Sequence, residues 1–173
     1  SAFSVFTGVL SYVIYSTVPP ALVHAVFVFC LVYVAGVDAR YERIPNRVVI
    51  PLLPLALLLA PYSVVLGGEI TWQSYVSPVS GALVGLAVFL PVYQIGKGRL
   101  GGGDVKFATV CGGMAGFPFV LLALLLGTVV ASGGLLYAKF SKRRTTVPFG
   151  PYLAAATSVT IVSSGFLKSL VAF

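Results

Sequence analysis

Seven apolar runs separated by short polar loops make up almost the whole chain. They cover about 3–18, 21–37, 48–66, 78–96, 104–117, 118–138 and 149–171. A helix needs about 20 apolar residues to cross the hydrocarbon core, with a usual range of about 17–25. The pattern predicts an all-α, polytopic transmembrane helix bundle with six core spans and a seventh, N-terminal span. An interfacial helix is the alternative for residues 3–18, because that run is short and Pro19-Pro20 follows it.

Composition supports a membrane protein. The 173 residues suit a single domain, 1–173, and they are 58% hydrophobic but only 9% charged. Soluble domains carry about 25% charged residues, and the mean hydropathy here is +1.04. The net charge of +7 does not indicate nucleic-acid binding, because the basic residues lie in short loops and not along one face. Membrane lipid is therefore an expected partner, and nucleic acid is not.

The basic residues also predict the orientation. Ten of the eleven lie in three alternate loops, at 38–47, 97–106 and 139–147. Positively charged loops remain on the cytoplasmic side of a membrane protein. The chain is thus predicted to be a multi-pass protein of the cell membrane, with these three loops in the cytoplasm.

Two aspartates provide the candidate chemistry. Asp38 follows the second run and Asp104 opens the fifth, so the predicted topology places both at the cytoplasmic face. Ionisable groups at membrane depth are costly and usually functional. Two close carboxyl groups do not ionise together easily, so one can activate water while the other, protonated, polarises a carbonyl. Taken singly, Asp104 could be a helix cap and Asp38 could pair with Arg40; together they indicate an aspartic protease.

The flanking residues are predicted to position this pair. Gly101, Gly102 and Gly103 precede Asp104 and supply backbone freedom. The apolar run after them has about 13 residue steps, or about 20 Å of helix, so either the glycine loop dips into the membrane or the bilayer thins there. Pro45 and Asn46 follow Ile44 and predict a rigid turn into the third run, with Asn46 as a helix cap.

Other hydrolytic schemes fit the chain poorly. The single histidine, His24, lies 14 positions before Asp38, which corresponds to about 21 Å along a helix. There is no HExxH pattern for zinc, and the two cysteines, Cys30 and Cys111, are isolated in apolar runs. The residues therefore contain no zinc-protease motif and no paired cysteines.

Three motifs resemble the type IV prepilin peptidase family, a group of GxGD membrane aspartic proteases. DARYERIPN at 38–46 is similar to the first aspartate motif, D-x(5)-IPN. GGGDVK at 101–106 is similar to the GxGD motif with its usual Lys106, and PFGP at 148–151 resembles the start of the last helix. The motifs occur in the family's order over about 130 residues.

The resemblance implies an endopeptidase that removes the short basic leader from pilin-like, flagellin-like or pseudopilin precursors at the cytoplasmic face. It implies Asp38 and Asp104 as the catalytic residues, no metal and no cofactor. It also implies the short, peptidase-only form, since the CxxC motifs of the methyltransferase insert are absent. One alternative is a protease like presenilin or signal peptide peptidase, although Val37 stands where that group has Tyr. The other is a non-enzymatic proton-coupled transporter or scaffold, a class whose internal repeats are not found here.

Overall fold

A computed structural model describes residues 20–41, 44–64, 72–96, 101–140 and 148–171. These residues form six α-helices and a short 3₁₀ turn, Trp72–Tyr75. The helices are α1 (Pro20–Tyr41), α2 (Asn46–Val64), α3 (Val76–Ile95), α4 (Gly102–Ala115), α5 (Phe119–Phe140) and α6 (Gly150–Val171). Six of the seven apolar runs are therefore helical, which confirms the all-α prediction. The first run, 3–18, lies outside the described residues.

Three helices of the described part are long and apolar enough to cross a membrane: Leu22–Tyr41, Val76–Ile95 and Phe119–Tyr137. Their outward faces expose large apolar side chains, such as Phe29 at 72% and Leu125 at 61%. Such a surface suits lipid, which solvates apolar side chains but no unpaired backbone group. The chain is thus a multi-pass membrane protein by its helices, while the predicted total of seven spans is not established.

Helix α4 is the centre of the bundle and contacts α2, α3, α5 and α6. From Val105 to Gly116 every side chain is buried except that of Lys106. The helix has 14 residues, about 21 Å, which confirms the predicted short segment. Because neighbouring helices cover it, its short length does not expose bare backbone to lipid.

Glycines bring α3 and α4 into backbone contact. A Cβ atom added to Gly81 would collide with the Gly112 carbonyl oxygen, and one added to Gly85 would collide with the Ala108 oxygen. Small residues allow this approach, and helix association in membranes depends on such close packing. At the end of α4, Gly116 has φ +69°, a conformation that glycine adopts without strain.

The ends of five helices meet at one end of the bundle. The last turn of α1 contacts the first residue of α6, and the first turns of α2 and α4 are hydrogen-bonded to each other. The Phe89 ring of α3 lies 5.3 Å from the Phe149 ring that precedes α6. This arrangement brings three stretches of sequence that are far apart in the chain, 38–46, 101–106 and 148–151, to one place.

Candidate active site

Asp38 lies in the last turn of α1, where its side chain is 4% exposed. The helix continues past it to Tyr41, so Asp38 is held by helical backbone, whereas the apolar pattern had predicted that the helix ends before it. Its Oδ2 atom accepts a hydrogen bond of 2.9 Å from the backbone N–H of Gly150. A buried carboxylate requires such a donor, because leaving it unsatisfied is costly.

Asp104 is the third residue of α4 and is half-buried. Its Oδ2 atom accepts a hydrogen bond of 2.9 Å from the Gly101 backbone N–H, in the turn that begins the helix. Asp104 lies outside the three helices that are long enough to span. Burial raises the pKa of its carboxyl to about 6; the Gly101 bond opposes this rise and the charge of Asp38 adds to it.

The two carboxyl groups are thus close enough for the charge on one to act on the other. They come from different helices and are held by different backbone donors. A pair of this kind retains a proton to a higher pH than an ordinary aspartate, because the second ionisation must work against the first charge. One protonated and one ionised carboxyl group is the state that acid–base hydrolysis of an amide requires.

The glycines before Asp104 differ from the flexible loop that the sequence predicted. Gly101 is extended, with φ −74° and ψ 144°, but Gly102 and Gly103 already lie in the first turn of α4. A Cβ atom on Gly101 would lie 3.1 Å from Asp104 Oδ2, and one on Gly103 would lie 2.9 Å from Ile44 Cβ. These glycines therefore provide space for close contacts, and the flexible-loop prediction is wrong for Gly102 and Gly103.

The Ile44-Pro45-Asn46 segment contacts the start of α4. Ile44 lies against Gly103, and Lys106 Nζ donates a hydrogen bond of 2.9 Å to Asn46 Oδ1. Asn46 was expected to cap α2. Instead, the carbonyl oxygen of Pro45 accepts hydrogen bonds from the backbone N–H groups of Val48 and Val49, at 3.0 and 3.2 Å. The structure therefore brings all the predicted positioning residues except Gly102 and Pro45 into contact with the opposite motif or with Asp104 itself. Gly102 approaches the Tyr93 ring of α3, at 3.8 Å from where its Cβ would be.

Gly150 is a site residue to which the sequence analysis assigned no role. The PFGP motif that contains Gly150 was recognised in the sequence through the family resemblance. Nothing in the sequence alone indicates that its amide meets Asp38, because the two residues are 112 positions apart. The glycine itself was a hint of a close contact, since a buried glycine at a helix start often allows another group to approach the backbone.

His24 is on the same helix as Asp38, 14 positions earlier, which separates the two by about 21 Å. Cys30 and Cys111 are free thiols, half-buried and buried respectively. Within the described part of the chain, no three His, Cys, Asp or Glu side chains are grouped so as to hold a metal ion.

Known proteins resemble this chain. A model of the type IV leader peptidase family matches residues 25–137, well over half of the chain. The chain belongs to this family. Its members are aspartic-type proteases, which confirms the resemblance drawn from the three motifs. No solved structure matches the chain.

Several curated relatives carry the name prepilin leader peptidase/N-methyltransferase. The Xanthomonas campestris pv. campestris protein is 32% identical over 139 residues, 73% of this chain and 44% of that protein. The Bacillus subtilis protein is 30% identical over 139 residues, 76% of this chain and 52% of that protein. The Dichelobacter nodosus protein is 32% identical over 147 residues, 79% of this chain and 47% of that protein. The chain thus spans about half the length of the relatives that it matches.

Proposed function

We propose that this protein is an endopeptidase that removes the leader peptide from pilin-like precursors, with Asp38 and Asp104 as its catalytic dyad. The observation that supports the proposal is that both aspartates lie at one end of the bundle, each carboxylate accepting from a backbone amide and close enough for the charge of Asp38 to act on Asp104. Family membership supports the reaction class, and the names of the relatives support a prepilin-type precursor as substrate.

The proposed hydrolysis of the peptide bond requires the two aspartates to share one proton. The ionised carboxylate takes a proton from water, and the resulting hydroxide attacks the scissile carbonyl carbon. The protonated carboxyl group donates to the carbonyl oxygen as its negative charge develops. When the tetrahedral intermediate collapses, the C–N bond breaks and the carboxyl group that received the water proton passes it to the leaving amine. One hydroxyl group of the intermediate returns its proton to the other carboxylate as the new carbonyl forms, which restores the pair with one shared proton.

The residues around the dyad are proposed to position it. The contacts of Ile44 with Gly103 and of Asn46 with Lys106 fix the start of α4 relative to the start of α2. Pro45 starts α2 by accepting its first amide hydrogens. Because a displacement of about 1 Å can cost about 100-fold in rate, we propose that these contacts keep Asp104 at a fixed distance from Asp38.

We propose that this end of the bundle faces the cytoplasm of a cell membrane. Exposed basic residues of the described part gather there, namely Arg40, Arg47 and Lys106. Cytoplasmic loops carry such an excess of positive charge. A precursor with its cleavage site just before its apolar helix would present that site at the membrane surface, where this end of the bundle lies.

The test is cleavage of a pilin-like precursor by the purified protein in detergent. The wild-type protein should release a leader peptide, whereas Asp38→Asn and Asp104→Asn should each abolish cleavage while they purify and melt like a folded protein. Glu69→Gln is the matched control, a carboxyl-to-amide change in the loop predicted for the opposite face, and it should cleave normally. An intact precursor with wild-type protein would favour a carrier, and substantial cleavage by either aspartate variant would exclude the dyad.

A further inference from the structure

We propose that Gly150 is a positioning residue of the peptidase, whose backbone amide orients the Asp38 carboxylate and whose missing side chain makes room for it. The inference rests on the proposed function for its catalytic meaning. The contact itself is a structural fact: the Gly150 N–H donates to Asp38 Oδ2 over 2.9 Å in a buried environment.

The amide is available because Gly150 is the first residue of α6. The first N–H groups of a helix have no partner within the helix, and the helix N-terminus favours negative charge. The carboxylate of Asp38 therefore satisfies an otherwise unpaired donor, and the donor stabilises the carboxylate. The same contact fixes the direction of the Asp38 side chain relative to α6.

The next residue along α6 cannot replace this donor. Pro151 follows Gly150 directly, and proline has no backbone N–H. A shift of one residue along α6 would present Pro151 to the carboxylate and leave it without the bond. The ring centroid of Phe149 lies 5.3 Å from that of Phe89, so the residue before Gly150 packs against α3.

The position also requires glycine. A Cβ atom at residue 150 would lie 2.6 Å from Asp38 Oδ2 and 3.1 Å from both Cβ and Cγ of Asp38. Relieving this clash would require the backbone of α6 or the Cβ atom of Asp38 in α1 to move. Either movement is costly, because both belong to packed helices. Any side chain here would turn the carboxylate away from its present orientation.

The two aspartates differ in what holds them. Asp104 is bonded to Gly101, three residues earlier in its own helical turn, so its orientation is local. Asp38 is bonded to a residue 112 positions away, so its orientation depends on the docking of α6 against α1. The dyad is therefore complete only when the start of α6 is in place.

Kinetics of the full-length chain with a pilin-like precursor tests the functional part. Gly150→Ala should lower kcat by about 100-fold, as expected for a displaced catalytic group, with KM changed much less. Gly127→Ala is the control for packing, because its Cβ would press on Leu153 of α6 at 3.2 Å without touching Asp38. Gly133→Ala is the neutral control, since nothing lies within 4 Å of its Cβ. A Gly150→Ala variant with wild-type kcat, or an equal kcat loss in Gly127→Ala, would overturn the proposal.

A spectroscopic test does not depend on cleavage. Asp38 and Asp104 are the only two aspartates in the chain, so carboxyl-¹³C aspartate labelling yields two side-chain resonances that the two Asp→Asn variants assign. Gly150→Ala should move the Asp38 resonance, and Gly127→Ala should move neither. If Gly150→Ala fails to fold, the chemical shift of the Gly150 amide proton provides the test in proteins that keep this glycine. This shift should differ from the wild-type value in Asp38→Ala but not in Gly133→Ala.

These outcomes separate the two proposals. A moved Asp38 resonance in a protein that cleaves no precursor would confirm the contact and refute the peptidase function. Suppose instead that the wild-type protein cleaves the precursor, but that the Asp38 resonance does not move in folded Gly150→Ala, or the Gly150 amide proton does not shift in Asp38→Ala. The peptidase function would then stand, and the role of Gly150 would be refuted.

Discussion

Lys106 Nζ donates a hydrogen bond of 2.9 Å to Asn46 Oδ1 and so joins the first turns of α4 and α2, 60 positions apart in the chain. Both side chains are exposed, yet each belongs to a motif that contains one of the two aspartates. With the contact of Ile44 against Gly103, this bond is a direct link between the two halves of the candidate site.

The Lys106–Asn46 bond should be measurable as a coupling energy. Lys106→Met and Asn46→Ala should each reduce the free energy of unfolding, and the double variant should lose less than the two losses added together. We expect a coupling of about 1 kcal/mol, the usual net value of such a bond. Lys106→Met combined with Arg40→Ala is the control and should be additive within about 0.5 kcal/mol. Additive losses in the first pair would mean that the bond contributes nothing in solution.

Two adjacent glycines should respond differently to the same substitution. Gly103→Ala places a Cβ atom 2.9 Å from Ile44 Cβ, whereas Gly102→Ala places one no closer than 3.8 Å to Tyr93. We expect Gly103→Ala to destabilise the fold by about 1–3 kcal/mol, the usual cost of overpacking, and to slow cleavage. Gly102→Ala should change stability by less than about 0.5 kcal/mol. Equal melting temperatures for the two variants would contradict the close contact at Gly103.

The raised pKa of Asp104, about 6, predicts a pH-dependent stability. Since this value lies above that of an unfolded aspartate, about 3.9, the folded state binds the proton more tightly. Its stabilisation is complete below about pH 4 and is lost as pH rises to about 6. Asp104→Asn removes this dependence, so the melting temperature of the variant minus that of the wild type should increase from pH 4 to pH 7. A difference that is constant or decreases over this range would show that burial does not raise this pKa.

The orientation can be tested with single cysteines at the exposed basic positions. Arg40→Cys, Arg47→Cys and Lys106→Cys, in a background with Cys30 and Cys111 replaced by alanine, should react with a membrane-impermeant thiol reagent only from the cytoplasmic side. Their labelling in inverted vesicles and not in intact cells would support the proposed face. Reaction of any of the three in intact cells would place the dyad on the other side.

The sequence by itself determined the helices and the chemical pair. Long apolar runs and sparse charges are local properties, so they predicted six described helices to within a few residues at most ends. The rarity of aspartate, with only Asp38 and Asp104 present, predicted both carboxyl groups of the candidate site, because a charge near the membrane core is seldom retained without use. The short α4 was also predictable, since its length depends only on where Gly101 and Gly116 interrupt the apolar run.

Tertiary structure alone decided how the pair is held. The Gly150 amide that reaches Asp38 and the Lys106–Asn46 bond join residues 112 and 60 positions apart, and hydrophobic periodicity does not say which helix faces which. The sequence predicted Gly103 as a flexible loop residue, but in the structure it lies in a helix against Ile44. Glycine allows both backbone freedom and close approach, and only the packing of neighbouring helices determines which of these a given glycine provides.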